Sequence, residues 1–152
     1  MGGRGVIMVD IDAGKREGGE LVCGGDAPAR PGYFFEPTVF ARMRADMTPV
    51  KSEIFGPVLV AIPWKTVDEV VAMANDSHYG LGAFVWSHNL DNALNTAHRL
   101  EAGWVQVNQG GGQVAGQSYG GYKQSGIGRE ASLEGMLEGF TQIKQINVKL
   151  RA

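Results

Sequence analysis

One segment of the 152-residue chain places a carboxylate and an aromatic ring two positions apart, just ahead of an apolar run. The two residues are Glu53 and Phe55, and Gly56-Pro57 follows them. In extended backbone, residues two apart point to the same side. A carboxylate suits the hydroxyls of a ribose, and a flat ring suits the face of a heterocycle. The pair could therefore bind one ligand, or it is a solvated acid beside a core phenylalanine; local physics favours neither.

The remaining reactive side chains favour structural roles. Cys23 is the only cysteine, and as a nucleophile it would need a nearby base or a helix end. As a small apolar residue it would simply complete a strand, which is the more common case. His78, His88 and His98 are ten residues apart and lack the i, i+4 spacing of a helical zinc site. We therefore predict no catalytic residue and no metal ligand in this chain.

Glycine accounts for 23 of the 152 residues and is concentrated in residues 109–128. Its runs at Gly110-Gly111-Gly112 and Gly120-Gly121 could hold a phosphate. The chain has no G-x-G-x-x-G pattern and no P-loop, which favours a flexible surface loop instead. A loop of this length in a compact domain is usually functional or mobile.

The composition is typical of a globular chain and excludes several classes of protein. Hydrophobic residues make up 43% and charged residues 20%, with a formal net charge of −2. This balance gives no basic surface for nucleic acid. No apolar run reaches the length of a membrane span. A single cysteine cannot form an internal disulfide, which favours a cytoplasmic location.

Strands alternate with helices in the predicted secondary structure. Strands are predicted at residues 20–23, 58–62, 83–86 and 104–108. Helices are predicted at residues 9–17, after the capping box Thr66–Glu69, after the cap Asn89, and at residues 130–140. This order predicts an α/β fold in which the last three strands are neighbours in a mostly parallel sheet with crossover helices. The continuous apolar run at 58–62 predicts a strand buried on both faces.

The other segments complete the expected organisation. Residues 26–38 contain three prolines and predict an extended connection. Residues 141–150 end in alternating apolar and polar positions, which predicts a terminal strand with one exposed face. Three tryptophans sit at or beside strands and are expected to pack in the core: Trp64, Trp86 and Trp104.

Four segments, in order, resemble motifs of the NAD(P)-dependent aldehyde dehydrogenase superfamily. They are Glu53-Ile-Phe-Gly-Pro-Val58, Asn75 with Tyr79-Gly-Leu-Gly-Ala83, Leu100-Glu-Ala-Gly103 with Val105 and Val107-Asn108, and Gly120-Gly-Tyr-Lys-Gln-Ser-Gly-Ile-Gly-Arg-Glu130. The resemblance extends over roughly residues 9–150. Residues 1–8 do not match clearly, and we expect a poorly ordered or artefactual start there.

The resemblance implies roles for particular residues. Glu53 would bind the nicotinamide-side ribose of NAD or NADP, and Phe55 would pack beside the nicotinamide ring. These roles belong to the parent enzyme, and binding of the cofactor by this chain alone is expected to be weak or absent. The loop after Asn108 would line the entrance for the aldehyde. Residues 141–152 would form an oligomerisation strand that pairs between subunits, which implies a homo-oligomer.

The departures from the family are equally informative. Its nucleophilic cysteine lies in a G-Q-x-C segment and its general base in an E-L-G-G segment, and neither is found in these residues. Cys23 lies in Leu-Val-Cys-Gly-Gly, which is a different position. Ser118-Tyr119 replace the usual Pro-Phe. The expectation is that residues 9–140 are the C-terminal part of a catalytic domain, inactive alone, from an enzyme that oxidises an aldehyde to a carboxylate. The alternative is a non-catalytic association module that pairs through its terminal strand.

Overall fold

A computed structural model describes residues 3–112 and 114–150 of the chain. The chain divides into two compact units, Met1–Val70 and Val71–Ala152. Helix α3 (Val67–Asn75) contains the boundary between them. No helix among the described residues is long and apolar enough to cross a membrane.

The first unit is built from helices α1 (Gly3–Arg16) and α2 (Thr48–Lys51) and strands β1 (Glu20–Cys23), β2 (Thr38–Ala41) and β3 (Val58–Val60). The strands form one sheet in the order β1-β2-β3. The β1–β2 pair is antiparallel, and the β2–β3 pair is parallel. Strand β1 is where the sequence predicts it, whereas β2 starts at the end of the predicted extended connection.

The core of the first unit joins α1 to the sheet and to the segment before α2. Its buried members are Ile7, Ile11, Phe40, Met43 and Met47. The two isoleucines are four residues apart and so lie on one face of α1. The side chain of Phe40 is fully buried, which contributes about 1.5–3 kcal/mol to folding.

The expectation of a poorly ordered start covered residues 1–8, of which residues 1 and 2 lie outside the described part of the chain. The structure has α1 from Gly3 onward, and the side chain of Ile7 is buried in the core. The end of this helix is as predicted, because Gly18 has a φ of 91° and Gly19 donates its N–H to the carbonyl of Gly14. A glycine in this left-handed conformation is a common way to end a helix.

The second unit contains a parallel strand–helix–strand arrangement, as the sequence predicts. Strand β5 (Gly82–Val85) pairs in parallel with β6 (Trp104–Val107), and helix α4 (Leu90–Arg99) connects and packs on both. The remaining elements are strands β4 (Tyr79–Gly80) and β7 (Tyr122–Lys123), which pair antiparallel, and helix α5 (Leu133–Phe140).

Two predictions about the sheet are wrong. The strand at 58–62 was expected beside those at 83–86 and 104–108, but β3 pairs with β2, and β5 pairs with β6 in a separate sheet. Strand β3 is also not buried on both faces, since Leu59 is 60% exposed. The prediction assigned consecutive strands to neighbouring positions, a rule that sequential strands obey only in roughly two-thirds of cases. It also omitted β2, which takes the place beside β3.

The C-terminal segment and the tryptophans also depart from expectation. Residues 141–150 are exposed and form no strand within this chain, so pairing with another subunit stays a prediction. Trp64 and Trp86 are 52% and 67% exposed, which contradicts their predicted core packing. Trp104 is partly buried and makes edge-on contacts with the rings of Phe84 and Tyr119.

Candidate functional site

An open cleft of about 380 Å³ lies on the first unit. It is lined by α2, by β3 and by the segment between them: Pro49, Val50, Ser52, Glu53, Ile54, Phe55, Gly56, Val58 and Val60. Both residues singled out for ligand binding, Glu53 and Phe55, therefore lie on one cleft. Its volume falls within the range of small-molecule binding sites.

The backbone that presents these two side chains is not the extended strand assumed from the sequence. Phe55 has a φ of 51°, in the left-handed region, and its side chain is 87% exposed. Glu53 is exposed too, whereas Ile54 between them packs against the core. A left-handed residue that is not glycine stores about 1–3 kcal/mol of strain. That strain, together with the exposed ring, marks Phe55 as a candidate for function.

Helix α2 forms one wall of the cleft and has little intrinsic stability, because it is a single turn. Pro49 lies in its first turn, where the ring favours helical φ and no N–H is needed. The residue before the helix, Met47, provides no side-chain cap. The cap comes from Glu17, whose carboxylate accepts hydrogen bonds from the Thr48 N–H at 2.7 Å and the Thr48 hydroxyl at 2.5 Å.

The Glu17 cap has an electrostatic signature. The hydrogen bonds from the Thr48 hydroxyl and N–H lower the pKa of the Glu17 carboxyl below its ordinary value of 4.5. A hydrogen bond to the charged form of a carboxyl favours that form. The contact is therefore made by an ionised carboxylate at neutral pH.

The exposed groups on the cleft fit one part of a dinucleotide. The Glu53 carboxylate offers two acceptor oxygens, which match the two neighbouring hydroxyls of a ribose. The Phe55 ring offers an uncovered face to a flat heterocycle. The chemistry of these two side chains suits binding and orienting a nucleoside through its sugar and base.

Cys23 is exposed at the end of β1 and is not among the residues that line the cleft. Its Sγ lies 3.9 Å from the carbonyl oxygen of Pro37. A carbonyl cannot take the thiol proton, so this contact does not activate the sulfur as a nucleophile.

The other three motifs, in the second unit, bind one another. The side chain of Asn75 donates to the carbonyl of Arg99 at 2.8 Å and accepts from the N–H of Glu101 at 2.8 Å. The Lys123 ammonium pairs with the Glu101 carboxylate at 2.7 Å and donates to the carbonyls of Asn75 and Ser77. These residues join α3, α4 and β7, which gives them a structural role.

The glycines of these motifs allow close backbone approach. A Cβ on Gly103 would overlap the carbonyl of Gly120, and one on Gly80 would overlap the carbonyl of Glu101. A Cβ on Gly120 would in turn overlap the carbonyl of Gly128. Gly120 is therefore packed against backbone, whereas Gly111 has open space around it.

Asn108 ends β6 in a distinctive way. Its φ is 53°, and its side-chain amide accepts from the Ser87 N–H at 2.8 Å and donates to the Ser87 carbonyl at 2.9 Å. The Asn108 amide thus takes the place of a peptide group and continues the hydrogen bonding between β5 and β6 past the ends of the two strands. The glycine-rich loop begins immediately after Asn108.

The sequence analysis did not identify Glu17, Thr48 or Pro49 as parts of the site. Thr48-Pro49 carried a recognisable signal, because proline is common in the first turn of a helix. Glu17 carried none, since it lies 31 residues from Thr48 in the chain.

The comparisons with known proteins agree on one family. The model of the aldehyde dehydrogenase family matches residues 6–146. The DhaS protein of Bacillus subtilis is 49% identical over 95% of this chain, which spans 29% of that protein. The mitochondrial aldehyde dehydrogenase of Rattus norvegicus is 45% identical over 95% of this chain, which spans 28% of it.

Solved structures give the same result. An aldehyde dehydrogenase from Mycobacterium tuberculosis complexed with NAD+ matches with a TM-score of 0.85 and 42% identity, over 92% of this chain and 29% of that one. An NAD-dependent aldehyde dehydrogenase from Sinorhizobium meliloti matches with a TM-score of 0.88 and 39% identity, over 96% of this chain and 29% of that one. The chain thus spans under a third of the length of these relatives.

Proposed function

Because this chain belongs to the aldehyde dehydrogenase family, we propose that it supplies the nicotinamide-side part of an NAD(P) site in an enzyme that oxidises an aldehyde to a carboxylate. The observation that carries the proposal is the placement of Glu53 and Phe55 on one cleft. Both side chains are exposed there, and neither is taken up by the core.

In this proposal Glu53 holds the ribose. Its carboxylate accepts hydrogen bonds from the two ribose hydroxyls, and such charge-assisted bonds are stronger than neutral ones. The contact fixes the sugar, and through it the direction in which the attached ring points. Glu53 moves no proton; its contribution is binding and orientation.

Phe55 positions the ring. Its exposed aromatic face packs against the nicotinamide and keeps water from one side of it, and the left-handed backbone directs the side chain outward. The bound cofactor supplies a hydride acceptor, which is the chemistry that the protein side chains lack.

We further propose that the 152-residue chain does not oxidise aldehydes alone. Covalent aldehyde oxidation needs a thiolate nucleophile and a base that activates water. Cys23 contacts a carbonyl and lies off the cleft. Aldehyde-dependent NADH formation by the purified chain should stay at background, and robust turnover would contradict this proposal. Cys23→Ala would then show whether Cys23 takes part in that turnover.

The binding role is tested by saturation-transfer NMR of the purified chain with NAD+ and, separately, NADP+. We expect weak binding, which this method detects, with contacts from the nicotinamide and its ribose, and about tenfold weaker binding still in Glu53→Gln. Glu36→Gln is the matched control, because Glu36 is an exposed carboxylate of the same unit that does not line the cleft. Equal binding by Glu53→Gln and the wild type would exclude the role of Glu53.

A second candidate function is association through the C-terminal segment. Four apolar side chains of residues 141–150 are between 71% and 96% exposed: Ile143, Ile146, Val148 and Leu150. Apolar surface of this kind marks protein interaction sites. We expect a molar mass that rises with concentration in light scattering, and a return to monomer in Ile146→Lys. A monomeric mass at all concentrations would exclude this candidate.

A further inference from the structure

Part of the cleft is lined by helix α2, which is too short to be stable on its own. Helix α2 consists of Thr48–Lys51, and the chain continues from it directly into Ser52, Glu53 and Phe55. Pro49 and Val50 of α2 line the cleft together with these residues. An isolated single turn is not stable in water, so contacts from elsewhere must fix its position.

Those contacts come from the last turn of α1 and the residue after it. A Cβ on Gly14 would lie 3.0 Å from the Pro49 ring and 3.3 Å from the ring of Phe40, so the absence of a side chain lets the proline pack closely. Glu17 adds the two hydrogen bonds to Thr48. The packing contact limits the approach of α2, and the carboxylate fixes its first backbone N–H.

We propose that Glu17 is a positioning residue for the cleft: its carboxylate caps α2 and thereby sets the place of Pro49 through Phe55. The ligand-binding consequence rests on the function proposed above for Glu53 and Phe55. The geometric claim does not, because it concerns only contacts within the chain. Removing the carboxylate should move Glu53 and Phe55 although Glu17 touches neither the cleft nor its ligand.

The charges around Glu17 give the proposal a pH dependence. Arg16 lowers the pKa of Glu17, and Asp46 opposes it, both more weakly than Thr48 does. Arg44 faces the same place, donating to the Glu17 carbonyl at 3.4 Å and pairing with Asp46 at 3.1 Å. Protonation of Glu17 removes the cap, so the cleft residues should shift as the pH falls through the lowered pKa of Glu17, which lies below its ordinary value of 4.5.

The test is two-dimensional amide NMR of the full chain. In Glu17→Gln we expect altered amide signals from Thr48 through Phe55 and about fivefold faster hydrogen exchange at Thr48. Thr48→Val, which removes only the hydroxyl, should give a smaller change of the same kind. Thr48→Ser keeps the hydroxyl and should therefore give a spectrum like that of the wild type.

Glu20→Gln is the matched control, because Glu20 is an exposed carboxylate that pairs with Arg42, the residue after β2. In Glu20→Gln, the amide signals from Thr48 to Phe55 should match those of the wild type. Unchanged signals of Glu53 and Phe55 in both Glu17→Gln and Thr48→Val would overturn the proposal. So would a Glu20→Gln spectrum with the same changes as Glu17→Gln.

NAD+ titrations of the same samples separate the two proposals. If the wild type binds NAD+, Glu17→Gln should bind several-fold more weakly with the Glu53 carboxylate intact. If the wild type does not bind, the proposed cofactor role fails, while the amide signals still decide the role of Glu17.

Discussion

The motif of the first unit and the motifs of the second unit use their residues in opposite ways. Glu53 and Phe55 extend side chains into solvent beside a cleft. Asn75, Glu101 and Lys123 bind one another, and the glycines near them pack against backbone. Motifs that resemble one family therefore present exposed side chains beside a cleft in one unit and stabilise the fold in the other. Exposure and hydrogen-bond partners distinguish the two roles, whereas the sequence pattern does not.

The largest effect should come from filling a close backbone contact in the second unit. In Gly103→Ala the new methyl group meets the carbonyl of Gly120, and we expect a loss of about 3 kcal/mol in the free energy of unfolding. Urea denaturation measures this. The control is Gly111→Ala, where the space is open and the change should stay within about 0.5 kcal/mol. If Gly103→Ala and Gly111→Ala were equally stable, the close backbone contact of Gly103 would have no special role in folding.

The next effect concerns the amide that connects α3 to the end of α4. Asn75→Ala removes two side-chain hydrogen bonds to backbone groups, at about 1 kcal/mol each, so we expect a loss of about 2 kcal/mol. Cofactor binding per folded molecule should not change. Asn95→Ala, at an exposed position of α4, should leave stability almost unaltered. A wild-type melting curve for Asn75→Ala would argue against a structural role.

Substitutions of Phe55 should weaken cofactor binding without loss of stability, the reverse of what we expect for Asn75. Phe55→Gly relieves the left-handed strain and should raise stability by about 0.5–1 kcal/mol, while NAD+ binding weakens. Phe55→Ala keeps the strain and loses only the ring. It should therefore weaken binding about fivefold with little change in stability. If Phe55→Gly is less stable than Phe55→Ala, the backbone strain is not present.

A smaller effect should follow the pH. Glu17 has a lowered pKa in the folded chain, so its stabilising contribution is present above about pH 4.5 and is lost as the pH falls through the folded value. Melting temperatures between pH 3 and pH 7 should fall more steeply at the acid end for the wild type than for Glu17→Gln. Parallel curves for the two proteins would contradict this.

The smallest effect on stability should be that of Glu53→Gln. Its side chain is exposed beside the cleft, so the free energy of unfolding should stay within about 0.5 kcal/mol of the wild type. Its measurable consequence is the weaker NAD+ binding. A large loss of stability in Glu53→Gln would show that Glu53 stabilises the fold, as Asn75, Glu101 and Lys123 do, and would contradict the difference between the two units.

The sequence predicted the elements that rest on local chemistry. The Thr66 cap is confirmed, since its hydroxyl accepts from the N–H of Glu69 at 3.2 Å. The Glu69 carboxylate also reaches back, but it accepts from the N–H of Lys65, one residue before the cap. Asn89 caps α4 by accepting from the N–H of Asn92 at 2.9 Å. Such signals lie within four residues and can be read from the chain directly.

What could not be predicted depends on distant residues. The position of β3 beside β2 follows from pairing across the intervening α2 segment, and no local pattern encodes it. The Glu17–Thr48 contact joins residues 31 positions apart. The placement of Glu53 and Phe55 on one side was expected from extended backbone, yet it arises from a left-handed residue instead. That conformation has no marker in the sequence when the residue is not glycine.

The amide of Asn108 has a practical consequence. By matching both the donor and the acceptor of Ser87, it fixes where β6 stops, and the chain leaves the sheet from an anchored point. Residues 109–117 could then be exchanged for segments of other length or chemistry without unravelling the strand behind them. Asn108 thus offers a grafting junction, and an engineer who wished to alter the loop would retain it.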